Sequence, residues 1–458
     1  MARPSQIDLA IRGGTVVTAG GSRRADVGVQ DGRIAAIGDV PRAERDIDAT
    51  GKLLLPGCVD LHTHLASTPT FTPLDDFEHG TRAAIAGGVT TVCSMVYQDG
   101  TLRAGIERGL RDAARSLADF AFHVVVTEPS EAAIAELPSL ARDGYGGLKV
   151  FMVSPRFDER ITDYVRLLGA AANVGMLVAV HAEDHEIVAR ATAELHAAGH
   201  DAVRYFPESR PAEAEDVAIR TATQLAGTTG ASLYLVHLSS RLALAALAEA
   251  KARGLRIYGE TRPLYLYLTR ERFERPDAAL WVGQPPLREP EDVDAMWDAL
   301  RSGLLDSVGT DHYPHLRATK LAPGLAFDRV PPGVANLETL LPMLFSEGVR
   351  RGRLTVERMV DVLAASPARI AGLRSKGAIA VGADADVVVF DPELTRTIRA
   401  TEMHSACDYD PYEGWVVTGW PVLTLLRGEV AYAKNEILAR PGHGRLALRQ
   451  ATHGSSAR

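Results

Sequence analysis

The chain has 458 residues, 46% apolar and 24% charged, which is the mix of an ordinary globular protein and excludes a disordered or fibrous one. Fifty Lys and Arg against 58 Asp and Glu leave a formal charge of −8 spread along the chain, without the basic face a nucleic-acid partner needs. Three cysteines cannot build a disulfide framework, MARPSQIDLA lacks a signal-peptide core, and no apolar run approaches the ~18 residues of a membrane span; a soluble, cytoplasmic protein with no membrane partner is expected.

In chain order, Ile7, Leu9 and Ile11 alternate as in a strand, Gly13-Gly14 breaks the run, and Val16-Val17 resumes it. Ala25, Val27 and Val29 lead to Asp31-Gly32, a hairpin turn, and then to Ile34 and Ile37. The middle changes texture. Short apolar runs at 54–60, 89–95, 120–126, 147–152, 176–181, 232–237, 256–260 and 305–310 predict eight strands. Stretches rich in Ala, Leu, Arg and Glu at 75–87, 101–117, 159–173, 213–226 and 241–253 predict helices between them. That alternation predicts an α/β fold, a closed (β/α)8 TIM barrel, with inserted helices or loops before 232 and before 305. Strand texture returns at Ala378–Val381, Asp386–Phe390, Leu423–Leu425 and Val430–Tyr432. Both chain ends, 1–55 and 376–458, are therefore expected to build one small β domain around a barrel at 56–375. The final HGSSAR reads as frayed.

The polar residues at the ends of these runs carry the chemistry. Run one ends in Asp60-Leu61-His62-Thr63-His64, run four contains Lys149, run five ends at His181, run six at His237, and run eight at Asp311. Strand C-termini of a barrel converge on one rim, so residues distant in sequence would meet there. His62 and His64 share a strand face by the period of two. Taken singly, a histidine is more often a hydrogen-bonded core residue and Asp311 a helix cap; together they point to metal. Lys149 is costly to bury as a cation and must be paired, neutral or modified.

Imidazole and carboxylate donors suit Zn2+, with Mn2+, Co2+ and Fe2+ compatible by ligand type. Four histidines and an aspartate exceed one catalytic zinc, which takes three protein ligands, but suit two divalent ions sharing a bridge. A carbamate formed from CO2 on Lys149 would supply that bridge as a buried anion.

The motifs PGCVDLHTHL (56–65), GLKVFM (147–152), VHAED (180–184), VHLSS (236–240), GQPPLR (283–288), GTDHYPH (309–315) and DYDPYEGW (408–415), in this order, resemble the dihydropyrimidinase and hydantoinase group of cyclic amidohydrolases. The resemblance implies the barrel plus a β-sandwich made by both chain ends. It implies His62, His64 and Asp311 on one metal, His181 and His237 on the other, and carbamylated Lys149 between them. It also implies a homotetramer. The implied reaction is hydrolysis of a small cyclic ureide or imide by a bridging hydroxide. Asp311 would carry the proton to the leaving ring nitrogen, giving an N-carbamoyl amino acid or related ureido acid.

Several substrate-side positions depart from that pattern. Ser154 stands where a tyrosine assists the oxyanion, Gln284 where a serine contacts substrate, and Pro332 where an asparagine precedes Gly333. The family's Glu-Thr-Cys-Pro-His becomes Glu260-Thr261-Arg262-Pro263-Leu264. Weak activity on unsubstituted dihydrouracil and hydantoin is expected. Dihydroorotases carry an arginine two positions after His-x-His, where this chain has Ala66. Allantoinase or a specialised secondary-metabolism enzyme is the alternative, and a non-catalytic relative would have lost metal ligands. His312 and His315 are read as neighbours of the ligands, Phe71 as part of a loop over the pocket, and the remaining histidines as ordinary surface or core residues.

Overall fold

The computed structural model describes residues 7–449. Eight parallel strands stand side by side in chain order: Cys58–Thr63, Val89–Tyr97, Asp119–Val125, Gly147–Phe151, Leu177–His181, Ser232–Leu235, Ile257–Thr261 and Ser307–Val308. The seam between the last and the first is made by few groups. Thr63 bridges to His312, the His64 N–H donates to the His312 carbonyl at 3.0 Å, and the Thr310 hydroxyl donates to Asp60 Oδ2 at 2.5 Å. Asp60 also accepts the backbone N–H groups of His62 and Thr310. A buried carboxylate thus joins the first strand end to the last, which positions His62 and His64 beside Asp311.

The five expected helices form at Phe77–Ala86, Leu102–Asp112, Ile161–Asn173, Ala212–Thr229 and Arg241–Ala252. Side-chain caps set several starts: Asp76 accepts from the N–H groups of Glu78 and His79, and Ser240 from that of Ala243. The long gap before 232 holds the helix His185–Ala197, and that before 305 holds Pro290–Ser302. The helix Glu131–Arg142 has no counterpart in the sequence reading; Pro138 lies inside it.

Run 54–60 is two strands rather than one. Leu53–Pro56 pairs with Val387–Phe390, and the barrel begins only at Cys58. Gly57 makes the break, since a Cβ there would lie 2.1 Å from the Thr90 hydroxyl. A seven-stranded sheet then mixes both chain ends, with Thr15–Thr18 and Leu53–Pro56 beside Val387–Thr397 and Val416–Leu426. A four-stranded sheet from Ile7–Arg12, Asp26–Gln30, Arg33–Gly38 and Ala43–Asp48 faces it. Leu9, Ile11, Val27 and Val29 of one sheet pack with Leu54, Val387, Val389 and Leu425 of the other, forming the expected sandwich core. Asp31 (φ 51°) and Gly32 (φ 74°) make the hairpin turn.

Ala378–Val381 forms no strand. It passes as loop beside the sandwich edge, where the Gly382 N–H donates to the Ile34 carbonyl. Residues 445–447 leave the sandwich and run along Phe120, and Arg449 donates to the carbonyls of Ala371 and Phe122. The terminal HGSSAR lies outside the described residues. Among those residues no helix is long and apolar enough to cross a membrane.

Candidate metal centre

Five strand ends meet at one rim. His64 Nε2 lies 3.1 Å and His62 Nε2 3.2 Å from Asp311 Oδ1, forming one convergent group. His181 Nδ1 and His237 Nε2 face each other at 2.9 Å, forming a second. The His62 and His237 rings are 5.4 Å apart, so the two groups are neighbours. Lys149 is fully buried, and its Nζ has no hydrogen-bond partner.

His237 (φ 46°) and Asp311 (φ 51°) follow their strands in the left-handed region, which costs a non-glycine residue about 1–3 kcal/mol.

Buried carboxylates fix the imidazoles. His62 Nδ1–H donates to Glu260 Oε1 at 2.8 Å, leaving the Nε2 lone pair toward Asp311. His181 Nε2–H donates to Glu183 Oε2 at 2.6 Å, leaving Nδ1 toward His237. Such carboxylate partners set the tautomer and raise ligand basicity. Glu260 also accepts from the Tyr234 hydroxyl at 2.5 Å and the His237 N–H at 3.1 Å. Arg210 holds Glu183 through Nε and Nη2.

Burial pushes the His62, His181 and His237 imidazoles below their ordinary range, which favours the neutral form a ligand requires. Burial lowers Lys149 to about 8, against the pull of Asp311 and Glu260. It raises Glu260 to about 7. Burial would raise Asp311 too, but Arg262, His62 and His64 outweigh it and hold the carboxyl low. Glu183 is held at about 2, burial being overcome by Arg210 and His181.

Beside these groups opens a cavity of about 140 Å³, whose wall continues through Tyr97, Phe151, Gln284, Tyr313, Pro332 and Gly333. Gln284 and Pro332 therefore stand on the wall. Ser154 is not among the wall residues; it begins the short helix Pro155–Glu159, and its carbonyl accepts the Phe157 N–H. Phe71 is 43% exposed and packs edge-on against Tyr313, whose ring is 5.2 Å from that of His64. His312 bonds Asp75 at 2.8 Å, and His315 donates to the Pro332 carbonyl at 3.1 Å.

The sequence reading assigned no role to Glu260, Glu183, Tyr97 or Tyr313. The signal for the two carboxylates was an acidic side chain at or just beyond the end of an apolar run.

The donor set fits divalent metal. It offers two groups of convergent N and O atoms, imidazoles kept neutral by burial and fixed in tautomer by carboxylates, and near them a fully buried, orphaned amine. Comparison with known proteins agrees. A curated D-hydantoinase of Geobacillus stearothermophilus is 38% identical, the match covering 97% of each chain. A D-phenylhydantoinase of Escherichia coli O9:H4 (strain HS) is 35% identical over 96% of this chain and 98% of its own. The solved dihydropyrimidinase of Brevibacillus agri NCHU1002 superposes with a TM-score of 0.93 at 36% identity, covering 97% and 99%. The L-hydantoinase of Arthrobacter aurescens gives 0.88 at 30% identity, covering 97% and 100%. The amidohydrolase family model matches residues 53–431, from the last sandwich strand before the barrel to the second-last after it. With the family match over residues 53–431 and relatives up to 38% identical across nearly the whole chain, the chain belongs to the amidohydrolase family.

Proposed function

We propose that the protein hydrolyses the amide bond of a small cyclic ureide or imide at a binuclear metal centre. The observation that carries this reading is the pair of convergent ligand groups together with the buried, unpartnered Lys149 amine. His62, His64 and Asp311 would hold one ion, and His181 and His237 the other. Lys149, carrying CO2 as a carbamate, would offer one oxygen to each. The two ions, Zn2+ by ligand type, supply a water of lowered pKa and a polarised ring carbonyl when bound.

The chain's own residues do the rest. Asp311 accepts the proton of the attacking water at a carboxylate oxygen and returns it to the ring nitrogen as the C–N bond breaks, because an amide nitrogen is a poor leaving group unprotonated. Tyr97, Phe151 and Tyr313 give the ring an apolar, aromatic slot, and Gln284 offers a donor and an acceptor to its edge. The product is a ureido acid from a ureide and a half-amide acid from an imide. With no tyrosine at position 154, unsubstituted dihydrouracil and hydantoin are poor substrates. The three cysteines are buried and unpaired, in keeping with a reducing, cytoplasmic setting.

The test is a panel of cyclic ureides and imides, allantoin included, offered to the metal-loaded protein. Ring opening of a substituted member in preference to dihydrouracil supports the reading. No ring opening in the whole panel, or dihydrouracil as the best substrate, contradicts it.

A further inference from the structure

Tyr97 and Tyr313 are both wall residues of the cavity beside the metal ligands. Each gets there for a local reason. Cys93 packs inside the barrel with Ala121, Ala179 and Tyr234, and the period of two along Val89–Tyr97 puts Tyr97 on the same inner face. The pairings Tyr97–Val125 and Val125–Lys149 set it level with the buried lysine. Tyr313 follows Asp311 by two residues, and its ring lies 5.2 Å from that of His64 and 6.0 Å from that of Phe71.

The phenol oxygens set these two apart from other buried tyrosines. Tyr164, Tyr234 and Tyr265 donate to acceptors within the protein. The hydroxyls of Tyr267, Tyr409 and Tyr412 are unpartnered but fully shielded. Those of Tyr97 and Tyr313 have no partner among the described residues and are not fully shielded. A phenol can both donate and accept, and it keeps its proton at neutral pH. The cavity wall holds no lysine or arginine, so the group it suits is neutral. An apolar group pressed against these oxygens would strip their water and return no bond, whereas a polar group that pairs with them avoids that loss.

We propose that Tyr97 and Tyr313 are specificity-determining residues that make this site select rings bearing a neutral hydrogen-bonding substituent, a carboxamide or ureido group, over rings bearing an alkyl group of the same shape. The inference rests on the cyclic-amide reading above and narrows its substrate class. The tyrosine rings still form the aromatic slot, and the hydroxyls at their tips read what the substrate ring carries.

The test compares hydantoin-5-acetamide with 5-isobutylhydantoin, whose substituents have the same branching and nearly the same size. The metal-loaded wild type, Tyr97→Phe, Tyr313→Phe and the double variant are measured for kcat and KM at equal metal content. Binding of the two ring-opened products is measured by calorimetry. The wild type should prefer the acetamide by about tenfold in kcat/KM, the scale of one buried polar group left unpaired. Each phenylalanine removes a single oxygen and keeps the ring. Each should therefore lose on the acetamide and gain on the isobutyl compound, mainly through KM, and the double variant should bring the ratio to about one.

A wild-type ratio of one or below overturns the proposal. So does an equal loss on both substrates in the phenylalanine variants, because that is the signature of tyrosines that only shape the slot. If neither ring opens, the hydrolase reading is what fails. The binding comparison then decides on the two hydroxyls alone: tighter binding of the carboxamide product that the double variant abolishes supports their role, and equal binding refutes it.

Discussion

Replacing Glu260 by glutamine separates the charge behind the metal centre from the hydrogen bonds that shape it. In the native protein Oε1 accepts from His62 Nδ1 and the His237 N–H, and Oε2 from the Tyr234 hydroxyl. A glutamine oxygen at the Oε1 position keeps the first two. Its NH2 then faces the Tyr234 oxygen, which can accept because the Tyr234 proton can turn to Ser307 Oγ, 2.8 Å away. Only the second amide N–H lacks an acceptor, so the fold should survive with a small loss of Tm; what is lost is the carboxylate that raises the basicity of His62. Loss of such a partner typically costs ~10–100-fold in metal affinity, or about 1.4–2.8 kcal/mol.

Glu260→Ala is the control. It leaves two buried donors, His62 Nδ1–H and the His237 N–H, without an acceptor at ~1–3 kcal/mol each, and so should lower Tm sharply as well as metal affinity. Titrating metal-free protein against a chromophoric chelator, with Tm from calorimetry, reads both quantities. Unchanged metal affinity in Glu260→Gln, or a Tm loss equal to that of Glu260→Ala, would refute the reasoning.

Lys149→Ala should lose metal and activity together, with partial rescue of both by small carboxylic acids added with metal. Lys149→Arg should be as inactive, because guanidinium stays protonated and cannot take up CO2. Because burial lowers the Lys149 amine to about 8, a larger neutral fraction is available at a given pH than for an ordinary lysine. CO2 uptake by metal-free protein, followed by mass, should therefore rise with pH through about 8. Gly309→Ala should weaken metal binding without touching a ligand, since the new Cβ would lie 2.2 Å from Glu260 Oε2; an unaltered metal titration would contradict this.

Periodicity and composition made most of the barrel legible, because a strand buried on both faces reads as an apolar run. His62 and His64 declared themselves by spacing. His237 and Asp311 were visible only as polar residues at the ends of runs. Their left-handed backbones had no signal in the residue types, since neither is glycine. Glu260 looked like an ordinary strand-end acid, since its partner His62 is 198 residues away. Run 54–60 misled because Leu54-Leu55 and Cys58-Val59 read as one apolar stretch, with the break at Gly57 against Thr90. The return of residues 445–449 to the barrel was likewise hidden, because the acceptors that hold Arg449, the carbonyls of Ala371 at a helix end and Phe122 in a strand, are far away in sequence.

The central claim is a centre of two ions bridged through a modified lysine. Elemental analysis of active protein, paired with mass analysis of Lys149 in the metal-loaded form, tests it most directly. Two divalent ions per chain and one CO2 adduct on Lys149 are expected. A stable single ion, or an unmodified lysine in a fully active two-metal protein, would contradict it.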